Sequence, residues 1–201
     1  MPTALDAHLA AVRACRRCPG MVPPPIVGRP IQSRVYLVGQ APGPREGALG
    51  RPFAWTAGRT MFGWFAALGL DEEAFRARVY IAAVCRCFPG KANGGGDRVP
   101  SPAEISNCSG WMDAELALLD PQLILPVGRL AIARFLPPAP LEQLVGRVWQ
   151  VEVGGRVRDV LPLPHPSGAS TWFRMEPGRT RLIEALRLLG EHAEWRELLD
   201  R

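Results

Sequence analysis

Four of the five cysteines are the first residues in this chain whose type and spacing can do chemistry. Cys15-Arg16-Arg17-Cys18 is a CxxC, which alone fits half a zinc site, a redox pair or half of an iron–sulfur site. A thioredoxin-type redox pair follows a strand, and this one does not. Cys87 and Cys108 lie in a Gly-rich loop and in the helical segment after it. Together the four thiolates can complete an all-cysteine zinc site or a 4Fe–4S cluster. Cys85 and Cys87 are two apart and would share a strand face; Cys87, nearer the loop, is the expected ligand and Cys85 a core thiol. An odd count in a reducing compartment argues against a disulfide framework. The other reactive side chain is His165, in His165-Pro166-Ser167 after an apolar run; His8 and His192 fall in terminal helical segments, where solvation is expected.

These residues need elements to position them. Short apolar runs at Arg34–Val38, Val79–Val84, Leu123–Val127 and Val160–Leu163 read as four buried strands. Arg59–Leu70, Pro102–Leu119, Arg129–Leu136 and Arg179–Leu199 have helical spacing, and Val148–Val153 with Arg156–Val160 flank Gly154-Gly155 as a hairpin leading into the last strand. Alternating strand and helix predicts an α/β protein with a mainly parallel four-stranded sheet and helices on its faces, as one domain over residues 1–201. Ligands of such sheets bind beyond the carboxyl ends of the strands. Three Gly, Pro and polar loops belong there: Gly39–Gly43, Cys87–Pro100 and His165–Gly168.

Composition narrows the class. With 47% hydrophobic and 21% charged residues, wholesale disorder and a collagen-like chain are excluded. No apolar run reaches the ~18 residues that span a bilayer, so no membrane partner is expected. MPTALDAHLAAVRAC has no basic stretch followed by an apolar core, which predicts no signal peptide and a cytoplasmic location, at the nucleoid in a prokaryote. Lys and Arg total 24 against 19 Asp and Glu, a net +5 that suits a polyanionic partner. Lys91 is the only lysine; the arginines suit bidentate phosphate contacts or reflect a codon bias.

The ordered set of motifs resembles the iron–sulfur branch of the uracil-DNA glycosylase superfamily, families 4 and 5. It comprises Cys15/Cys18, Gly39-Gln40-Ala41-Pro42-Gly43, Gly50-Arg51-Pro52-Phe53 with Ala57-Gly58, Cys87-Phe88-Pro89 with Cys108, and His165-Pro166-Ser167, and it spans most of the chain. The resemblance implies a three-layer α/β/α fold, a structural 4Fe–4S cluster on Cys15, Cys18, Cys87 and Cys108, and a monofunctional glycosylase that hydrolyses the N-glycosidic bond of uracil or another deaminated base in DNA during base-excision repair. It also implies a monomer.

What the resemblance implies for single residues agrees with the chemistry. A base extruded from the duplex must be stacked and read in a pocket; Phe53 matches the stacking position, and its alternative is a core aromatic. Departing uracil carries negative charge that needs a donor, which His165 can be, with Gln40 and Ala41 N–H groups and the Gln40 side chain beside it. Departures are equally specific. Ala41 stands where other uracil glycosylases carry a water-activating aspartate, Gln40 replaces a family 4 glutamate, Ala54-Trp55-Thr56 lacks the family 5 aspartate, and Ala82 or Ala83 replaces a base-reading asparagine. Without that amide a broader range of bases is expected. Glu46 and Asp97 are the candidates to hold water, the alternative being carboxylates that are solvated or paired with arginine. Trp172 and Phe173, after Gly168, are candidate wedges in the DNA gap or else anchors of the final helix. Ser167, Arg174, Lys91 and Arg98 are candidate DNA backbone contacts. Two rival functions follow: a catalytically weak or inactive iron–sulfur protein that binds damaged or abasic DNA, and a zinc protein of unrelated function.

Overall fold

Apolar runs flanked by Gly and Pro set the sheet. In the computed structural model, which describes residues 3–200, β1 (Val35–Gly39), β2 (Tyr80–Ala83) and β3 (Leu123–Pro126) are buried at every position. Strands of that kind are covered on both faces, so helices must flank the sheet on both sides. β4 (Trp149–Val153) and β5 (Arg156–Val160) complete a five-stranded sheet in the order β2-β1-β3-β5-β4, parallel except for β4. The strand count corrects the four expected. The second arm of the hairpin is itself the fourth core strand, and the first arm adds an antiparallel edge whose burial alternates, the sign of one wet face.

The helices are α1 (Ala4–Ala14), α2 (Glu46–Leu49), α3 (Thr56–Ala66), α4 (Glu72–Arg78), α5 (Pro102–Leu119), α6 (Arg129–Ile132), α7 (Leu141–Leu144), α8 (Gly178–Glu191) and α9 (Ala193–Leu199). α5 starts where its sequence says it should: Ser101 accepts the Glu104 N–H and Glu104 reaches back to Ser101, a capping box with proline at the first helical position. The expected single C-terminal helix is two, because extended His192 ends α8 and its ring accepts the Glu194 N–H to cap α9. His8 and His192 are not solvated as expected. His8 Nε2 lies 3.3 Å from Glu115, and His192 Nε2 lies 3.0 Å from Asp159.

A buried polar cluster locks α5 to the sheet. Parallel register sets Tyr36 beside Tyr80, their rings stacked at 5.6 Å, and both hydroxyls donate to Glu115 at 2.7 Å. Arg86 donates to the same carboxylate at 2.6 Å with both partners fully buried. Burial alone would raise the Glu115 carboxyl, but Arg86, His8 and the tyrosines outweigh it and hold it at about 2. Met1, Pro2 and Arg201, included in the one-domain expectation, lie outside the described residues. Among the described residues no helix is long and apolar enough to cross a membrane.

Candidate active site and cysteine cradle

The chain turns from β2 across β1 to β3, so the carboxyl ends of these strands sit at a topological switch point. A cavity of about 540 Å³ opens there. The turn after β1 brings Gln40 and Ala41 to it, β2 brings Ala82 and Ala83, and the segment after β5 brings His165 and Ser167. Phe53, Glu46, Asp97 and Lys91 complete the expected set in one cavity.

Phe53 is held in a left-handed backbone conformation, φ 52°, that a bulky residue adopts only when its surroundings enforce it. The enforcement is visible. Arg76 donates to the Phe53 carbonyl at 3.1 Å, and Gly58 passes so close that a β-carbon there would sit 1.7 Å from that oxygen. Arg76 itself is buried and braced by Glu72 at 2.9 Å, a role that no motif in the sequence announces.

Glu46 is corrected by its bonds. Oε2 accepts from the Gly43 N–H at 2.6 Å and Oε1 from the Ala54 N–H at 3.0 Å, so its carboxylate staples the turn after β1 to the Phe53 segment rather than holding water. Burial raises its pKa, and these N–H donors pull the other way.

His165 has a defined tautomer. Its Nδ1 accepts the Ser167 N–H at 3.3 Å, with the Ser167 hydroxyl 2.9 Å away. A backbone amide can only donate, so Nδ1 carries no proton and Nε2 is the N–H. Burial pushes the imidazole below its ordinary pKa, against the opposing charge of Asp97, and keeps it neutral near pH 7.

Asp97 faces the same cavity and is paired with Lys91 at 2.7 Å. Arg98 is diverted: both terminal nitrogens grip Glu104, at 2.6 and 2.7 Å, and one reaches the Gly20 carbonyl. That fork ties the N-terminal segment to α5, which corrects the expectation of a DNA contact.

In the loop after Ser167, Gly168 is exposed and Ala169 and Ser170 line the cavity, but the aromatic residues turn away from it. Phe173 is buried edge-on against Trp64 at 5.3 Å, and half-buried Trp172 packs on Gly178 at the start of α8, so the anchor reading replaces the wedge. Exposed Arg174 lies over the Phe173 ring.

Cys15, Cys18, Cys87 and Cys108 line a second cavity, of about 250 Å³, with Arg86 in its wall. Cys85 is fully buried and absent from that lining. Cys85 is the largest of the influences that lower the Cys108 thiol, to about 6, with the Arg86 N–H adding to it, while Cys85 itself is raised. Burial raises Cys18 and Cys87, so a bound cation is what would ionise them. Among the described residues no three Cys, His, Asp or Glu side chains converge on the position of one ion.

A mostly parallel sheet with a ligand cavity at its switch point, a buried neutral histidine in that cavity and a four-cysteine cradle beside it defines an α/β protein of the ligand-at-the-strand-ends class. A family model described as the uracil DNA glycosylase superfamily matches residues 25–189, and the chain belongs to that superfamily. It is 30% identical over 175 residues to the type-4 uracil-DNA glycosylase of Archaeoglobus fulgidus, covering 81% of each chain. It is 28% identical over 138 residues to the type-4 uracil-DNA glycosylase of Thermotoga maritima, covering 68% of this chain and 66% of that one. Against the type-5 uracil-DNA glycosylase of Thermus thermophilus it is 28% identical over 163 residues, 65% of this chain and 71% of the relative.

Proposed function

We propose that this chain is a monofunctional uracil-DNA glycosylase that hydrolyses the N-glycosidic bond of uracil in DNA during base-excision repair. One observation carries the residue-level reading: the Ser167 N–H on Nδ1 leaves Nε2–H of a neutral, buried His165 as the donor in a pocket with an aromatic wall. As the bond to the sugar breaks, electrons move onto the base, and a positioned donor at the departing oxygen stabilises that charge; one such donor supplies roughly 10²–10³ in rate. Phe53 stacks on the extruded base. Asp97, in the wall of the same pocket, is the carboxylate that orients the attacking water, and water is the nucleophile because the chain's single lysine, Lys91, stands alone in the loop after β2.

Ala82 and Ala83 leave the β2 side of the pocket wall without an amide, Gln40 being the amide on the β1 side, which supports acceptance of other deaminated bases besides uracil. The binding-only reading is not favoured, since the relatives are named as glycosylases.

In this reading Cys15, Cys18, Cys87 and Cys108 hold a 4Fe–4S cluster. The four thiols line one cavity of about 250 Å³, which fits a group that offers each sulfur its own iron. When bound, the group supplies iron–thiolate bonds joining the N-terminal segment, the loop after β2 and α5. The protein acts as a monomer on DNA in the cytoplasm, at the nucleoid in a prokaryote, with Ser167, Gly168, Lys91 and exposed Arg174 toward the backbone.

The test is single-turnover incubation with duplexes carrying uracil opposite guanine or adenine, hypoxanthine or xanthine, followed by alkaline cleavage. Uracil release that collapses in His165→Ala supports the reading. No release from any duplex by cluster-loaded protein overturns it.

A further inference from the structure

At the rim of the base pocket Trp55 leaves 45% of its surface exposed, although an indole carries one of the largest apolar surfaces of any side chain. Helix initiation does not explain the residue: it is the N-cap of α3 but makes no side-chain capping bond. Two guanidiniums lie over its ring, Arg45 at 4.4 Å and Arg59 at 5.7 Å from the centroid. Both arginines are exposed, and neither has a carboxylate partner among the described residues. The neighbouring Arg51 shows the contrast, since Glu72 and Glu73 neutralise it. Val99, 61% exposed, lines the same cavity.

An exposed aromatic ring flanked by free cations is the arrangement on which an unpaired nucleobase stacks while its phosphates meet the charges. We propose that Trp55, with Arg45 and Arg59, is a stacking platform for an unpaired nucleotide adjoining the extruded one, and that the protein therefore favours single-stranded or frayed DNA over a fully paired duplex. The placement of the strand rests on the glycosylase reading; the chemistry of the platform does not. In an intact duplex the adjoining base is stacked on its own neighbours and unavailable, so the preference follows from competition for its face.

The experiment is fluorescence anisotropy with a labelled oligonucleotide that carries a tetrahydrofuran abasic analogue and no uracil, single-stranded or fully paired, over a salt series. Trp55→Ala is expected to weaken single-strand binding about 5- to 150-fold, the range of base–aromatic stacking, with a smaller loss on the duplex, while Trp55→Phe stays close to the parent. Arg45→Gln and Arg59→Gln are each expected to lower the salt slope on the single strand by about 0.7. Equal losses on both DNAs, a Trp55→Phe variant as weak as Trp55→Ala, or an unchanged salt slope overturns the platform. Should Trp55→Ala not fold, Trp55→Leu keeps apolar bulk without a ring face and carries the same expectation. Because the probe holds no uracil, its binding is read apart from catalysis: a parent protein that binds it through Trp55 yet releases no base from the uracil-containing duplexes sinks the glycosylase reading and leaves the platform standing.

Discussion

The ring of Phe53 lies directly on Gly39, the last residue of β1: a β-carbon at Gly39 would sit 2.6 Å from the Phe53 Cζ. The contact joins the two halves of the pocket, since Gly39 leads into the turn that carries Gln40 and Ala41, while Phe53 is the phenylalanine of the pocket wall. Real β-carbons do not approach that closely, so any larger residue at position 39 must move the ring.

Gly39→Ala is therefore expected to damage catalysis more than folding. A ring displaced by about 1 Å costs on the order of 10²-fold in rate where geometry is set for reaction. Single-turnover uracil release compared with the thermal midpoint checks this; a variant that keeps its rate would show that the Phe53 position is not used.

His165 is expected to set the acid limb of the proposed activity. Burial lowers its pKa, and only the neutral ring leaves Nδ1 free to accept from Ser167 while Nε2 donates. Activity is expected to be full near pH 7 and to fall as pH drops through a value below the ordinary histidine range of about 6.5. The unfolded chain takes up this proton first, so His165 also erodes stability as pH falls through that range. A profile of kcat/KM against pH with its acid midpoint above about 6.5 would contradict the assignment.

Glu115 is expected to be the costliest single charge to remove. Glu115→Gln leaves Arg86 buried without its counter-charge, for which roughly 3–5 kcal/mol is usual. Its carboxyl is held at about 2 against an ordinary 4.5, so its contribution is complete above pH 4.5 and is lost as pH falls toward 2. Urea unfolding at pH 7 and in acid measures both; a loss below about 1 kcal/mol would mean that the cluster of Arg86, Tyr36 and Tyr80 tolerates a neutral partner.

Cys85 and Cys87 should separate by iron content. Cys87→Ser is expected to lower bound iron, whereas Cys85→Ala keeps it and costs only packing, because Cys87 lines the cradle and Cys85 does not. Iron and sulfide assays on protein purified without oxygen decide it, the reverse pattern exchanging the two roles.

Phe173→Ala is expected to lose stability, about 3–5 kcal/mol for an aromatic removed from a core, with little change in DNA affinity. Thermal unfolding beside an abasic-DNA titration distinguishes an anchor from a wedge.

Much of this was legible in local pattern. β1, β2 and β3 are buried at every position and so read as unbroken apolar runs; α5 spans Pro102–Leu119 as its capping box and proline require; and the CxxC, the turn after β1 and His165-Pro166-Ser167 are short segments whose residue types carry their own chemistry. In sequence the edge strand β4 shows itself as a hairpin arm but not as part of the sheet, because an alternating, half-wet strand does not say what it pairs with.

The remainder was decided by partners distant in sequence. Nothing near Glu46 tells that its oxygens face the amides of Gly43 and Ala54, and nothing near Phe173 tells that Trp64 covers it. Arg76 at the Phe53 carbonyl and Arg86 at Glu115 look like surface arginines until the helices pack. The sequence by itself determined which segments are strands and helices and which side chains are capable of chemistry, since periodicity and residue type are local. Tertiary structure alone decided which of those side chains are free to act, because a carboxylate, guanidinium or aromatic ring is committed or released by whatever the fold brings against it.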